Sequence, residues 1–97
     1  MTSTFHDAPI FCRSSKVDET RVGDRVVLYH RDTGSGVVLN PTGSIIWDAL
    51  ATPRSAADLA ESLSSRYPGV GPEKISADVN TYVESLLENR LIAAASR

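Results

Sequence analysis

Leu39-Asn40-Pro41-Thr42-Gly43-Ser44-Ile45-Ile46-Trp47-Asp48-Ala49-Leu50 decides the fold of this chain, because a short apolar strand ends within it and a helix begins at once. Val37, Val38 and Leu39 read as a buried strand. Asn40-Pro41 cannot continue it, since proline has no N–H to give to a ladder. Thr42 is placed to cap a helix whose apolar face is Ile45, Ile46, Ala49 and Leu50. No side chain in this turn is chemically reactive, so any function it has is to present a surface.

Upstream, the sequence alternates weakly from Lys16 through Val17 and Val22, turns at Gly23-Asp24, and continues as Arg25-Val26-Val27-Leu28-Tyr29, rich in β-branched and aromatic residues. Asp32-Thr33-Gly34-Ser35-Gly36 is a second turn with two glycines able to take positive φ, and Val37 to Leu39 returns as a third strand. The pattern predicts a three-stranded antiparallel meander. The first eleven or so residues have no period, so residues 1–15 are expected to be a flexible N-terminal segment ahead of a domain at 16–93.

Downstream, Thr52-Pro53-Arg54-Ser55 breaks the helix and offers Ser55 as the N-cap of a second one, three residues before Asp58. Leu59, Leu63 and Tyr67, with Ala56 and Ala60, make one apolar stripe that Pro68-Gly69-Val70-Gly71-Pro72 ends. A last helix runs from about Pro72 or Glu73 to about Asn89, with Ile75, Val79, Tyr82, Val83 and Leu86 on one face. Leu91 and Ile92 close against the core. The fold class expected is α+β, three strands followed by three helices, in a winged-helix-turn-helix-like arrangement.

A chain of 97 residues is one domain with one modest core. Its 41% hydrophobic and 23% charged content is that of an ordinary globular protein, and no apolar run approaches the roughly 18 residues of a membrane span. The first residues have no basic segment followed by an apolar one, so the expected location is the cytoplasm. Cys12, with only His6 and His30 for company, gives neither a disulfide nor a zinc-ligand spacing. No metal and no cofactor are expected.

Chemistry of other kinds is missing too. Gly34-Ser35-Gly36 lacks the Lys-Ser or Lys-Thr of a phosphate loop, and Thr42-Gly43-Ser44 is not a Gly-x-Ser-x-Gly elbow. His30 and Asp32, two residues apart at a strand end, more often solvate a turn than work as an acid and base. Glu84 and Glu88 share a solvated helical face. The expectation is therefore no catalytic residue and no enzyme. A winged-helix DNA-binding regulator is the alternative of another class. Charge argues against it: residues 55–90 carry Asp58, Glu61, Glu73, Asp78, Glu84 and Glu88 against Arg66, Lys74 and Arg90, and a helix so charged is repelled by phosphates. A winged-helix shape without basic charge points to a protein partner.

The third strand supplies a reason for one. Gly36-Val37-Val38-Leu39 has neither charge nor proline, and an edge strand without either is a template for an added strand. From spacing alone, a covered edge and an open one stand about equal.

Val26-Val27-Leu28, the run Gly36 to Gly43, Ile46-Trp47, Leu50, Ala57-Asp58-Leu59-Ala60, Leu63, Tyr67, Asp78-Val79, Tyr82-Val83, Leu86 and Leu91-Ile92 together resemble the PqqD-like family, also called RiPP precursor peptide recognition elements. The likeness spans about residues 16 to 92. It rests on Leu-Asn-x-Thr-Gly-x-x-Ile-Trp joined at the right distance to Asp-Val-x-x-Tyr-Val-x-x-Leu. The Thr-Gly and Trp version looks most like the stand-alone proteins of lasso-peptide clusters. Ala51-Thr52-Pro53-Arg54 departs from the family, which usually has a glycine after the first helix.

The resemblance implies a non-catalytic, winged-helix-like module. It would bind the leader of a ribosomally made precursor as a strand between the third strand and the last helix, and deliver it to a maturation enzyme such as a leader peptidase. An alternative within the class is a peptide chaperone for a radical S-adenosylmethionine enzyme. Carried onto this sequence, Val37, Val38 and Leu39 would supply backbone hydrogen bonds and part of an apolar floor. Asp78, Tyr82 and Ser85 would line the helix side, and Ile75 and Val79 could belong to either groove or core. Tyr82 is either a wall of the groove or plain core packing. The partners implied are a leader peptide and a maturation enzyme, with neither nucleic acid nor membrane.

Overall fold

The computed structural model describes residues 9–95. It contains the expected meander and the three expected helices, and a second sheet that was not expected. The meander is β2 (Val17–Val22), β3 (Arg25–His30) and β4 (Gly36–Leu39), in the order β2-β3-β4. Gly23, at φ +64°, makes the first turn position that only glycine takes without strain. Alternation along the strands sends Val26, Leu28, His30 and Leu39 inward and leaves Tyr29 and Val38 on the outer face.

Helix α1 (Pro41–Ala49) follows β4 directly, with Asn40 between them. Its cap is Asn40, not Thr42. The Asn40 side chain accepts from the Gly43 N–H at 2.8 Å, and Pro41 takes the first helical position, where a missing N–H costs nothing. Ser55 caps α2 (Ala56–Arg66) as expected, in a reciprocal box: the Asp58 N–H donates to Ser55 Oγ at 3.2 Å and the Ser55 N–H to the Asp58 carboxylate at 3.1 Å. Helix α3 (Pro72–Glu88) buries Ile75, Val79, Val83 and Leu86, one stripe at helical spacing.

The second sheet corrects the expected order of three strands and then three helices. Ile10–Arg13 forms β1, Arg54–Ser55 forms β5 and Ile92–Ala95 forms β6, in the order β5-β1-β6. So part of the segment 1–15 expected to be flexible is a central strand, with Phe11 in the core. Residues 1–8 of that segment, His6 among them, lie outside the described residues. The partners β1 and β6 are about eighty positions apart, register Arg13 to Ile92, and so no local pattern announces them.

One polar cluster ties the two sheets to α1. The Trp47 indole N–H donates to Glu19 Oε1 at 2.9 Å, and the Arg13 guanidinium lies over the Trp47 ring, 4.4 Å from its centre, while donating to the Trp47 carbonyl at 2.6 Å. Arg21 bridges Glu19 and Asp48 at 2.9 and 2.8 Å. The indole N–H, more than the neighbouring guanidiniums, holds the Glu19 carboxyl below its ordinary range against a smaller opposing effect of burial. Among the described residues no helix is long and apolar enough to cross a membrane.

Candidate functional site

Among the described residues β4, like β2, is a free edge of its sheet, and the hydrogen-bond phase shows what it offers. The His30 N–H donates to the Ser35 carbonyl at 2.8 Å. In an antiparallel ladder, bonded pairs recur every second residue, so Val37 and Leu39 turn their peptide groups to Leu28 and Val26. Gly36 and Val38 turn theirs outward. An added strand therefore finds the N–H and C=O of Gly36 and Val38, while Val37 and Leu39 contribute side chains to the inner face. The expectation that all three residues, Val37 to Leu39, supply both bonds and floor is thus divided by the pleat. The Val38 side chain, 57% exposed, stands on the outer face, away from the helices.

On the helix side, Tyr82 is half-buried against the core and meets α1 at Gly43. A β-carbon at position 43 would lie 2.8 Å from Tyr82 Cε1 and 3.3 Å from Leu39 Cδ2. The absence of a side chain there is what lets strand, helix α1 and helix α3 converge. Asp78 is half-buried and bound by Lys74 Nζ at 2.9 Å, an i,i+4 pair on the same helix. Ser85 is exposed, three residues beyond Tyr82. Val79 and Leu39, each 1% exposed, are core residues and present no surface to a ligand.

A cavity of about 330 Å³ lies at the first turns of α3 and has Asp78 in its lining. Pro41 and Thr42 at the start of α1, Leu63, Tyr67 and Val70 around the end of α2, and Lys74, Ile75 and Asp78 in the first turns of α3 line it. Ile75 and Asp78 were singled out from the sequence. The other six were not. Tyr67 and Val70 read there as the end of a helix, and only the convergence of three helix ends, which has no local signature, makes them a wall.

The described residues hold little for chemistry. No group of three or more His, Cys, Asp or Glu is placed to hold a metal among them. His30 and Asp32 do not pair as side chains. His30 is buried, its Nδ1 accepts the N–H groups of Asp32 and Thr33 at 3.1 and 3.3 Å, and Asp32 receives Lys16 at 2.7 Å. The histidine holds the turn into β4.

An unpaired strand edge at β4, the Tyr82 ring against Gly43 and a partly apolar cavity where three helix ends meet are what the described residues offer to an extended chain. The chain belongs to the PqqD family: the model of coenzyme PQQ synthesis protein D matches residues 25–92. Two solved structures share the fold. TbiB1, in complex with the TbiA(beta) leader peptide, has a TM-score of 0.78 and 23% identity, covering 89% of this chain and 99% of its own. A lasso peptide synthetase B1 complexed with the leader peptide has a TM-score of 0.72 and 27% identity, covering 86% of this chain and 96% of its own. No curated protein matches the chain.

Proposed function

We propose that this protein binds the leader of a ribosomally made precursor peptide, takes it as an added strand on β4 facing α3, and presents it to a maturation enzyme such as a leader peptidase. The observation that carries the reading is the open, uncharged edge of β4, with the peptide groups of Gly36 and Val38 turned outward. Strand addition draws affinity from main-chain bonds, and side-chain pockets alongside select the sequence. The two leader complexes of the same fold support it. In this reading the domain is winged-helix-like, with the β3–β4 hairpin as its wing. It works in the cytoplasm, without cofactor and without catalysing a reaction.

In this reading the pleat divides the work. Every second leader residue faces the helices, where Tyr82, Asp78 and Ser85 stand along the α3 flank and Val37 forms the floor; the cavity beyond Pro41 receives a side chain from the end of the leader nearest Leu39. The family's description favours one further reading, a peptide chaperone for a radical S-adenosylmethionine enzyme of a quinone cofactor pathway. It differs in the enzyme bound, an iron-sulfur protein in place of a protease.

Titrating the purified protein into fluorescent synthetic leaders from precursor genes beside its own tests the proposal, with duplex DNA titrated over the same salt series. Saturable binding to one leader is expected. Absence of leader binding together with salt-sensitive DNA binding overturns it in favour of a winged-helix regulator.

A further inference from the structure

The turn that leads into β4 hangs on one histidine. Every N–H from Arg31 to Ser35 has a partner, and His30 is the partner of those of Asp32, Thr33 and Gly34. Its Nδ1 accepts from the Asp32 and Thr33 N–H groups at 3.1 and 3.3 Å, its carbonyl accepts from the Gly34 N–H at 2.9 Å, and its own N–H donates to the Ser35 carbonyl at 2.8 Å. The Ser35 N–H goes to Thr33 Oγ1 at 3.2 Å and the Arg31 N–H to the Lys16 carbonyl at 3.0 Å. The ring itself is buried, 5% exposed. An imidazole nitrogen that accepts N–H groups carries no proton, so this ring is neutral, with its proton on Nε2.

We infer that His30, through an unprotonated Nδ1, is the positioning residue of the β4 edge: it fixes the peptide groups of Gly36 where an added strand meets them, and releases them when the ring takes up a second proton. The inference rests on the proposed leader binding. Only Gly36 and Val38 turn peptide groups outward on β4. Val38 stands between Val37 and Leu39, both bonded to β3, whereas Gly36 has Val37 on one side and, on the other, Ser35, which the turn holds. A proton on Nδ1 makes it a donor facing two donors, and both of its turn bonds are lost. The charged groups around the ring balance: Lys16 is paired with Asp32 at 2.7 Å and Arg31 with Asp18 at 2.6 Å. Arg13 is engaged with Trp47, β4 has no titratable side chain, and the buried residues of α1, α2 and α3 carry no ionisable group. The two bonds to Nδ1 therefore decide which form of the ring the turn accepts.

Nitrogen-15 shifts of the His30 ring at about pH 8 test the premise, and are expected to show Nδ1 bare and Nε2 protonated. Titration with the synthetic leader from about pH 8 to about pH 5, the range in which an ordinary histidine takes up its proton, tests the consequence. A His6→Gln background leaves His30 as the sole histidine. Affinity is expected to fall about twofold to tenfold as the ring is protonated, the worth of a lost hydrogen bond, with leader-induced protection lost at the Gly36 amide and kept at Val38. His30→Asn offers an oxygen that accepts the N–H two residues on and does not titrate, so its affinity holds across the series; His30→Ala binds weakly throughout. If His30→Asn does not melt cooperatively, the ring shifts and the Gly36 amide of the parent decide alone. A proton on Nδ1 at about pH 8, a leader that protects Gly36 equally before and after the ring is protonated, or a folded His30→Asn with the parent's pH dependence overturns the inference. A leader that binds at no pH refutes the leader reading instead, and Asp32 and Thr33 amides that still follow the ring then uphold His30 as the holder of this edge.

Discussion

The Tyr82 ring packs directly on the backbone of Gly43, so that even one methyl group at position 43 would lie 2.8 Å from Tyr82 Cε1. Over-packing of that kind costs about 1–3 kcal/mol in a tight interior. Gly43→Ala is expected to lower the melting temperature, and to do so much less in a Tyr82→Ala background, where the ring it strikes is gone. A double-mutant cycle on thermal or urea unfolding measures the coupling; equal losses in both backgrounds would place the strain elsewhere.

In the proposed reading Tyr82 also gives the helix side of the groove its aromatic surface. Tyr82→Ala is expected to weaken leader binding by about 1–3 kcal/mol, the range of an interface anchor, while cooperative melting persists. Calorimetric titration beside a melting curve separates the two roles. Loss of cooperative melting would make Tyr82 core alone.

Neighbouring valines on β4 should respond to proline in opposite ways. The Val38 N–H points outward, and proline is tolerated on such an edge position, so Val38→Pro folds but binds leader at least about tenfold more weakly, or about 1.4 kcal/mol. The Val37 N–H belongs to the bonded pair with Leu28, so Val37→Pro breaks the sheet and lowers the melting temperature. Circular dichroism and binding on the two variants check the phase of the ladder.

Glu19 predicts a dependence on pH. Its carboxyl is held below the usual range, first by the Trp47 indole N–H and then by Arg21. A folded-state value below the unfolded one means that the contribution is whole above the ordinary carboxylate range and is lost as pH falls through the lowered value. Glu19→Gln should therefore melt below the parent at pH 7, and the gap should close in acid. A gap that stays constant with pH would show that charge at Glu19 is immaterial.

The sequence was most legible where one residue carries a local rule. Ser55 three residues ahead of Asp58, the stripe Ile75-Val79-Val83-Leu86, and the glycine turns of the meander each announce their own geometry. The cap of α1 falls two residues before the one the sequence suggests, because Thr42 and Asn40 both have capping side chains and Pro41, which favours Asn40 by taking the first helical position, also fits the end of a strand. The second sheet was illegible for a different reason. Ala93, Ala94 and Ala95 have little strand preference of their own, and their order comes from pairing with β1 across the whole domain.

The candidate site divides in the same way. An uncharged Gly36–Leu39 edge was visible as composition, but which peptide groups face outward depends on the register with β3. Trp47 stood out in the sequence only as part of a family pattern, and its work is to join Glu19, Arg13 and α1. Lys74, Tyr67 and Val70 line the cavity only because three helix ends meet.

Amide hydrogen exchange, followed residue by residue with and without a saturating synthetic leader, tests the central claim most directly. Strand addition at β4 predicts slowed exchange at the Gly36 and Val38 amides. The Val37 and Leu39 amides, already bonded to β3, should change little by comparison. A leader that binds while Gly36 and Val38 exchange as before, or that protects the β2 or β6 edge in their place, would contradict the account.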